Sequence, residues 1–440
     1  MCYPCPRTIL LPFSPDHTSA YTHTNMKRKS CMNCGGQELH EFLDLKPQPN
    51  GNRFPGPTDA EAEPLYPMSM LVCTACWLVQ IAEFPPSALL FEDHPYITGV
   101  NVPVVEHFKR LVPRLVKRFE LQPNDLALDI GCNDGTLLKE FAASGLQVLG
   151  VDPCKGTWEL ARQAGVTVFR TFWNRAAGEA LSRLSVVPDI ITSTASFYHV
   201  PDLHDFVAGV DLVMGPKTIF MVQGVYLKNL IERNQFDHFY HEHSCVHSVG
   251  PLRRLFAEHG MRILDLEFSE LHGGSFVVTV AKNESPWATD PAVEEAIKAE
   301  EQAGLNSLDR VRDNADRLVA MLRALKADGK RVFALGAPVK GSTLLNFCGI
   351  GPDLIECATE INVRKIGRLM PGTRIPIVDE TALTSQPDYY LVLTWNFLEF
   401  LRQRYDGFLR AGGRFIAPVP EVSIVGPAER LPGANGRNSP

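Results

Sequence analysis

The 440-residue sequence has no long apolar run and no excess of positive charge. No stretch reaches the roughly 18–20 uninterrupted apolar residues of a membrane-spanning helix, so we expect no membrane partner. A formal net charge of -7 leaves the chain without the basic surface that a nucleic-acid partner usually requires. The amino terminus also lacks the charged start, apolar run and cleavage site of a secretory signal. We therefore expect a cytoplasmic protein whose 11 cysteines stay reduced.

Length and composition predict a globular chain of several domains. Roughly 100–200 residues per domain gives two to four domains, and 45% hydrophobic with 21% charged residues is ordinary for such a protein. Residues 1–30 and 421–440 are polar or rich in Pro and Gly and carry no apolar periodicity. We expect a disordered leader and a disordered tail there. Met26 offers an alternative start site within the leader.

Four of the cysteines form two Cys-x-x-Cys pairs, Cys31 with Cys34 and Cys73 with Cys76. Two such pairs can supply the four thiolates of a closed tetrahedral zinc site. The proline-rich stretch between them is too loop-rich to fold unaided, and metal binding can stabilise it. We predict a structural Zn²⁺ site in a module at residues 31–90. Two unrelated reduced pairs and a rubredoxin-like iron site are the alternatives.

The middle of the sequence carries a glycine-bearing turn between a predicted strand and a predicted helix. Residues 126–135 read LALDIGCNDG, and a second apolar strand at 148–151 leads into Asp152. The acids in this turn would repel a phosphate but suit a cationic ligand that also carries a ribose. The candidate cofactor-binding residues are Asp129, Gly131, Asn133, Asp134, Gly135 and Asp152.

S-adenosylmethionine fits that description, since it combines a sulfonium, an ammonium group and a ribose without any phosphate. The sequence DIGCNDG at 129–135 resembles motif I of the class I methyltransferases. Because short glycine motifs are weak signals, an acidic turn that binds no ligand is the alternative.

Four of the 13 histidines fall within residues 238–247. A turn at 240–243 could bring Tyr240, Glu242 and His243 together, a set suited to proton abstraction next to a carbonyl. His199 follows a strand predicted at 188–192, and its side chain is expected at the same sheet edge as the cofactor turn. A metal site is an alternative, although His-Glu-His does not place two histidines on one helix face. A structural polar turn is another alternative.

Together these motifs resemble the sugar C-methyltransferases that act on nucleotide-linked 4-keto sugars. The resemblance is carried by FD at 236–237 with YHEH at 240–243, by the four cysteines and by Tyr96 in DHPYITG at 93–99. It is also carried by HGGS at 272–275, GAPVKGSTLLN at 336–346, MPGTRIP at 370–376 and TWN at 394–396. The landmarks run in order from about residue 31 to about 420.

The resemblance implies methylation of the carbon next to a ketone through a base-generated enolate. It implies that His243 is the general base, that Glu242 orients it, and that Tyr240 lies near the ketone or enolate. His199 would be a second base or a proton relay, and Tyr96 would lie on the substrate side. Ala195, Gln223 and the segment 245–247 depart from the family pattern, which leaves the sugar and the methylated face open.

The expected fold class is α/β, with a class I methyltransferase Rossmann-like domain at 91–290 following the zinc module. Residues 291–326 read as a helical linker, either one long helix or a broken pair. A second Rossmann-like lobe is expected at 327–420. There Lys340 could help backbone amides hold the diphosphate of the substrate; alternatively the lobe is a degenerate duplicate that only covers the site. The expected partner is a small-molecule substrate, and the expected state is a monomer.

Three other functions remain open at this point. An O-methyltransferase of the same fold would need a base but no enolate-stabilising donor, so it explains Tyr240 less well. A nicotinamide-dependent oxidoreductase would need a G-x-G-x-x-G turn free of acids, which neither glycine turn supplies. A zinc-bearing interaction module on a decayed enzyme would catalyse no methylation.

Overall fold

The computed structural model of the chain describes residues 26–59, 63–303 and 310–427. They form an amino-terminal module and two sheet domains, in the predicted order. Most of the predicted leader and tail lies outside the described residues. Two short segments of them, Met26–Lys27 and Ser423–Val425, are strands. The expected disorder is wrong at these segments, because each pairs with a neighbouring strand.

The amino-terminal module is built from short antiparallel strands around the cysteine pairs. Its strands are β1 Met26–Lys27, β2 Leu39–Asp44, β3 Gln48–Pro49, β4 Leu65–Tyr66, β5 Ser69–Cys73, β6 Val79–Ile81 and β7 Glu83–Phe84. One short helix, α1 Ser87–Phe91, ends the module. Strands β2, β5 and β6 share one sheet, while β1 pairs with β7 and β3 with β4.

The middle domain alternates strands and helices, as the pattern of apolar strands and glycine turns predicts. Its first elements are α2 Val102–Arg118, β8 Leu126–Ile130, α3 Thr136–Ala143, β9 Gln147–Val151, α4 Lys155–Gln163, β10 Thr167–Phe169, α5 Arg175–Arg183 and β11 Ile190–Thr194. They continue with α6 Leu203–Val213, β12 Ile219–Val225, α7 Leu227–Glu232, β13 Cys245–Val246, α8 Val249–Glu258, β14 Met261–Ser269 and β15 Ser275–Lys282.

Seven of these strands form one sheet in the order β10-β9-β8-β11-β12-β15-β14. The first five run parallel, and β15 is antiparallel to both of its neighbours. Every residue of β12 is buried, as expected for a central strand covered on both faces. The strand order reverses beside β8, so the carboxyl ends of β8 and β11 face one crevice, where ligands of such sheets bind.

Two helices, α9 Ala292–Ala303 and α10 Arg310–Ala327, occupy the predicted linker, which is therefore a pair of helices in the described residues. The last domain contains β16 Val332–Leu335, α11 Val339–Cys348, β17 Ala358–Glu360, β18 Ile377–Asp379, β19 Tyr389–Val392, α12 Leu398–Arg404, α13 Asp406–Arg410, β20 Arg414–Ala417 and β21 Ser423–Val425. Its sheet has the order β18-β17-β16-β19-β20-β21, with only β21 antiparallel. This is the expected second Rossmann-like lobe.

The amino-terminal module is joined to the middle domain through a shared sheet. Strand β13 of the middle domain pairs antiparallel with β6 of the module, and Ile81 N donates to Ser244 O at 2.9 Å. The segment that carries Tyr240, Glu242 and His243 is therefore attached to the sheet edge of the module. Among the described helices, none is both long enough and apolar enough to span a bilayer.

Candidate active site

The turn after β8 depends on two glycines in the left-handed region. Gly131 has φ 80° and Gly135 has φ 76°. A Cβ on Gly131 would lie 2.6 Å from the Cβ of Ser196, and one on Gly135 would lie 3.0 Å from Val166. Side chains at either position would therefore push the turn away from the neighbouring elements. Gly131 lines the cavity described below, whereas Gly135 only shapes the turn.

Two acids of the turn region lie at the carboxyl ends of neighbouring strands. Asp129 accepts a hydrogen bond from Thr192 Oγ1 at 2.6 Å, and burial raises the pKa of its carboxyl to about 7. Asp152 Oδ2 accepts from Asn133 N at 2.8 Å, and its Oδ1 accepts from Cys154 N at 2.9 Å. Both acids line the cavity, so an amine or hydroxyl ligand can reach them.

The other acid of the turn, Asp134, is directed away from the cavity. Its Oδ2 accepts from Gly99 N at 2.9 Å, and its Oδ1 accepts from Thr136 Oγ1 at 2.7 Å. Asp134 is 6% exposed and is absent from the cavity wall. The Asp134 side chain binds the first residue of α3 and the segment before α2, so the structure does not support the predicted cofactor contact.

Asn133 ties the turn to the segment that precedes α2. Its Oδ1 accepts from Thr98 N at 2.9 Å, and its Nδ2 donates to Tyr96 O at 3.2 Å. This brings Tyr96 to the same cavity. Burial raises the pKa of the Tyr96 phenol to about 12, so the hydroxyl keeps its proton.

A cavity of about 750 Å³ lies at the carboxyl ends of the strands, within the size range of cofactor pockets. Of the predicted site residues, its wall includes Asp129, Gly131, Asn133, Asp152, Tyr96 and His199. It also includes a segment after β10, residues 171–174, which the sequence analysis missed. The rule that ligands bind at strand carboxyl ends could have identified this segment.

Five aromatic rings form a stack from the cavity wall into the protein. The ring centroids of His94 and Phe91 are 6.1 Å apart, and those of Phe91 and His199 are 5.3 Å apart. His199 and His243 are separated by 5.3 Å, and His243 and His238 by 6.3 Å. The interplanar angles are 28°, 22°, 23° and 22°. The stack links the cavity to a fully buried histidine.

His243 and Tyr240 meet through the predicted turn. His243 N donates to Tyr240 O at 2.8 Å, and the two rings lie 3.9 Å apart between centroids. Burial lowers the pKa of His243 to about 3 and raises that of Tyr240 well above its ordinary value. Within the described residues, neither ring nitrogen of His243 has a hydrogen-bond partner. The site thus pairs a neutral imidazole with a phenol that keeps its proton.

The Glu242 carboxylate makes no hydrogen bond to the imidazole of His243, contrary to the orienting role that the resemblance implies. Its Oε1 accepts from Asn52 Nδ2 at 2.5 Å, and its Oε2 accepts from His94 Nε2 at 3.1 Å. The tight turn directs the side chains of 242 and 243 to different neighbours. Asn52 and His94 were not identified from the sequence, because they lie 190 and 148 positions away along the chain.

His241 and His247, two other histidines of the cluster, pack against the fold and not against the cavity. His241 Nε2 donates towards Pro67 O at 3.2 Å, and His247 stacks on Phe197 with centroids 5.0 Å apart. In the part of the chain that the structure describes, only the cysteine cluster brings three or more metal-ligating side chains together. The histidines are therefore not a metal site there.

The four predicted zinc ligands come together in the amino-terminal module. Their sulfur atoms all lie within 4.8 Å of one another, with Cys31 to Cys76 and Cys34 to Cys73 each at 3.5 Å. Zn–S bonds of about 2.3 Å in a tetrahedron place sulfurs about 3.8 Å apart, so the set fits a zinc ion. A Cβ on Gly36 would lie 3.3 Å from Cys34 Sγ, so a larger residue would crowd the sulfurs.

Lys340 lies in the interface between the two sheet domains and not on the cavity wall. Its ammonium is 3.7 Å from the ring centre of Trp395 and donates to Asn396 Oδ1. Trp395 Nε1 in turn donates to Asp237 Oδ2 at 2.6 Å. Lys340 is 7% exposed. This geometry does not support the predicted contact with a diphosphate, because the lysine is buried against Trp395 and Asn396 and does not line the cavity.

Three family models together match most of the chain. A zinc binding domain matches residues 31–91, a methyltransferase domain matches residues 104–266, and a C-methyltransferase C-terminal domain matches residues 270–420. The last match begins well before the lobe expected at 327, so it takes in β15 of the middle sheet and the helical linker.

Among known proteins, the chain is 34% identical over 404 residues to the C-methyltransferase NovU of Streptomyces niveus, covering 90% of this chain and 96% of that protein. An uncharacterized methyltransferase of Schizosaccharomyces pombe, C70.08c, is 30% identical over 95 residues, which is 21% of this chain and 35% of that protein.

Solved structures similar to part of the chain include two methyltransferases. The magnesium protoporphyrin IX methyltransferase of Synechocystis PCC 6803 is 16% identical, with 42% of this chain and 82% of that chain covered and a TM-score of 0.32. An S-adenosylmethionine-dependent methyltransferase from Anabaena variabilis is 18% identical, with 40% and 85% covered and a TM-score of 0.32.

The strand order, the family matches and the full-length relative confirm the predicted fold class and the predicted enzyme class. They do not support an oxidoreductase, because the matching family models and the full-length relative are methyltransferases. The chain belongs to the C-methyltransferase family, whose members are S-adenosylmethionine-dependent enzymes with a class I methyltransferase fold, here with an amino-terminal zinc-binding domain.

Proposed function

We propose that the enzyme methylates the carbon next to the ketone of a nucleotide-linked 4-keto-deoxy sugar. The observation that carries this proposal is the ring stack, since it connects His199, on the wall of the cofactor cavity, with His243, whose ring centroid lies 5.3 Å behind it. The motifs at 236–243 and 272–275 and the full-length similarity to a C-methyltransferase support it.

In this proposal Gly131, Asp129 and Asp152 hold S-adenosylmethionine at the carboxyl ends of β8 and β9. The cavity fits that group, because its wall combines the carboxylates of Asp129 and Asp152, the backbone of Gly131, which has no side chain, and residues 171–174 after β10. When bound, the cofactor supplies an electrophilic methyl group on a sulfonium. The acids of the wall favour a cationic ligand and disfavour a phosphate.

His243 is the proposed proton acceptor. Burial holds the pKa of His243 and His199 far below the ordinary value, so both imidazoles are neutral at pH 7 and can accept a proton. The C–H bond next to the ketone breaks, its proton goes to the imidazole, and its electron pair forms the enolate. With the cofactor bound, the enolate carbon would accept the methyl group while the carbon–sulfur bond of the sulfonium breaks and leaves a neutral thioether. His199 lies between His243 and the cavity and returns the proton towards solvent.

Tyr240 is the proposed donor to the enolate oxygen. Its pKa is raised by burial, so the phenol is a hydrogen-bond donor at all physiological pH values. Its ring lies against His243, so a ketone held by the hydroxyl would present its neighbouring carbon to the imidazole. A donor placed where negative charge develops is typically worth about 10²-fold or more in rate.

The proposed function is tested with methyl-labelled S-adenosylmethionine and a nucleoside-diphosphate-linked 4-keto-6-deoxyhexose. We expect the label on a ring carbon next to the ketone, identified by NMR of the product. Samples without enzyme and samples of the His243→Asn variant are the controls. A label on oxygen, or no transfer by the wild-type protein to any such sugar, would contradict the proposal.

A further inference from the structure

Besides helix α1, which lines the cavity, the zinc-binding module reaches the active site through the loop at residues 50–52. Asn50 Nδ2 donates to Leu89 O at 3.4 Å, and Asn50 Oδ1 accepts from Asn52 N at 3.1 Å. Gly51 packs against the first turn of α11, where a Cβ would lie 2.6 Å from Val339 Cγ2. The loop is therefore held by its own module and by the last domain, with little freedom to move.

At the end of this loop, Asn52 donates to Glu242 Oε1 at 2.5 Å. The second carboxylate oxygen of Glu242 accepts from His94 Nε2 at 3.1 Å. The other ring nitrogen of His94, Nδ1, accepts from Tyr96 N at 3.3 Å, so we assign the ring proton to Nε2, which then donates to Glu242 Oε2. Asn52 Nδ2 lies 3.0 Å from the same Nε2, so the three side chains form one cluster. Two donors from outside the methyltransferase sheet thus bind the two oxygens of one buried carboxylate.

We infer that Asn52 and His94 are positioning residues that hold Glu242 as an anion beside His199, so that the zinc-binding module completes the active site. This inference rests on the proposed function for its meaning in turnover, but the contacts stand independently of the substrate. A carboxylate that is 3% exposed needs such donors, since an unpaired buried charge is unstable.

The charge of Glu242 acts on the ring stack. Burial would raise the pKa of Glu242, yet its pKa lies below the ordinary value, and the interactions with His94 and the hydrogen bond from Asn52 lower it. In return, the anion opposes the effects of burial and of His243 on the pKa of His199. An anion at this place favours the imidazolium that forms when a proton moves to His199.

Other titratable groups also face Glu242 and contribute to its field. They are Lys365 of the last domain, Tyr198 and His199 of the turn after β11, Tyr240 and His241 of its own segment, and His94. Of these side chains, only His94 is within hydrogen-bond distance of the carboxylate in the described structure. It therefore acts on Glu242 by contact and not by charge alone.

The first test reads the protonation state of Glu242 without turnover. Infrared difference spectra between each protein and its Glu242→Gln partner show the carbonyl stretch of a protonated carboxylic acid as the pH falls. We expect this band to appear at higher pH in Asn52→Ala and His94→Gln than in the wild type. The matched control is Arg368→Met, which removes a donor to Phe54 O at 3.0 Å in the same loop region, away from Glu242. It is expected to follow the wild type.

The second test measures turnover with the labelled cofactor and the keto sugar nucleotide named above. Asn52→Ala is expected to lower kcat about 10- to 100-fold, to leave the Kd for S-adenosylmethionine unchanged, and to move the acid limb of the pH profile. Asn52→Ser, which keeps a donor, should recover part of the loss. A merely structural contact would lower activity equally in Arg368→Met and would not move the pH profile.

The outcomes separate the two proposals. An unchanged infrared midpoint in both Asn52→Ala and His94→Gln would overturn the positioning role. A shifted midpoint in a protein that methylates no keto sugar nucleotide would support the contacts and reject the proposed substrate. Equal loss of activity in Asn52→Ala and Arg368→Met, with the same pH profile, would also overturn the inference.

Discussion

The rings of His199 and His243 stack with their centroids 5.3 Å apart and an angle of 23° between their planes. His199 belongs to the turn after β11 and lines the cofactor cavity. His243 lies behind His199, away from the cavity, and is 1% exposed. The arrangement gives the two histidines different positions along one path from solvent to the interior. In the proposed mechanism, His243 accepts the proton of the substrate and His199 passes it on towards solvent.

Replacing Gly131 by alanine should weaken binding of S-adenosylmethionine at least about tenfold. Alanine would have to adopt a positive φ, at a cost of about 1–3 kcal/mol, and its Cβ would meet Ser196. Isothermal calorimetry measures the loss. Gly165→Ala is the matched control, because Gly165 also has a positive φ but no atom within 4 Å of its Cβ position. Equal affinities for the two variants would contradict the assigned role of the turn.

Replacing Cys76 by serine should lower the zinc content and the melting temperature together. The module shares a sheet with β13, so we expect Tm to fall by about 5 °C or more and methyl transfer to fall with it. Elemental analysis and calorimetry measure the two effects. Cys348→Ser is the control, since Cys348 is half-buried and lies outside the metal cluster. Full activity in a zinc-free protein would show that the module does not support the site.

The buried histidines should lower the free energy of unfolding as the pH drops below about 6.5, while Asp129, with its pKa raised to about 7, opposes this trend between pH 7 and about 4. Burial lowers the pKa of His243 and His247 to about 3 and that of His272 to about 4. Between these values and about 6.5 the unfolded chain binds more protons than the folded chain, so acid favours unfolding. Each such histidine contributes a slope of about 1.4 kcal/mol per pH unit.

Urea denaturation at a series of pH values measures this slope. The His247→Gln variant removes one buried imidazole outside the active site. The slope of its free energy of unfolding against pH should therefore be smaller than that of the wild type, by the amount that corresponds to about one bound proton. A slope unchanged by His247→Gln would mean that this ring is protonated in the folded protein.

Replacing Tyr240 by phenylalanine should lower kcat about 10²- to 10³-fold, with little effect on the affinity for S-adenosylmethionine. The phenol is the proposed donor to the enolate oxygen, and phenylalanine keeps the ring that packs on His243. Steady-state kinetics with the labelled cofactor measure the effect. Tyr389→Phe, in the sheet of the last domain, should behave like the wild type. A Tyr240→Phe enzyme with unchanged kcat would remove the phenol from the mechanism.

Features that are set by residues close together in the sequence could be predicted from the sequence. The four cysteines, the turn at Gly131 and the strand before it occupy the expected places, because each is specified by spacing within a few residues. The contacts of Glu242 could not be predicted this way, since Asn52 and His94 come from distant segments. The contact of Lys340 with a diphosphate was predicted from local sequence, which does not reveal that Lys340 is buried against Trp395. That burial depends on residues far apart in the sequence.

The central claim is that a histidine of the stack removes a proton from the carbon next to the ketone. Solvent-deuterium exchange into the keto sugar nucleotide, without S-adenosylmethionine, tests it by NMR. The wild-type enzyme should catalyse exchange, and His243→Asn should lower its rate by about 10²-fold or more while still binding the cofactor. His199→Asn should retain slower exchange. Exchange at the wild-type rate in His243→Asn would contradict the account.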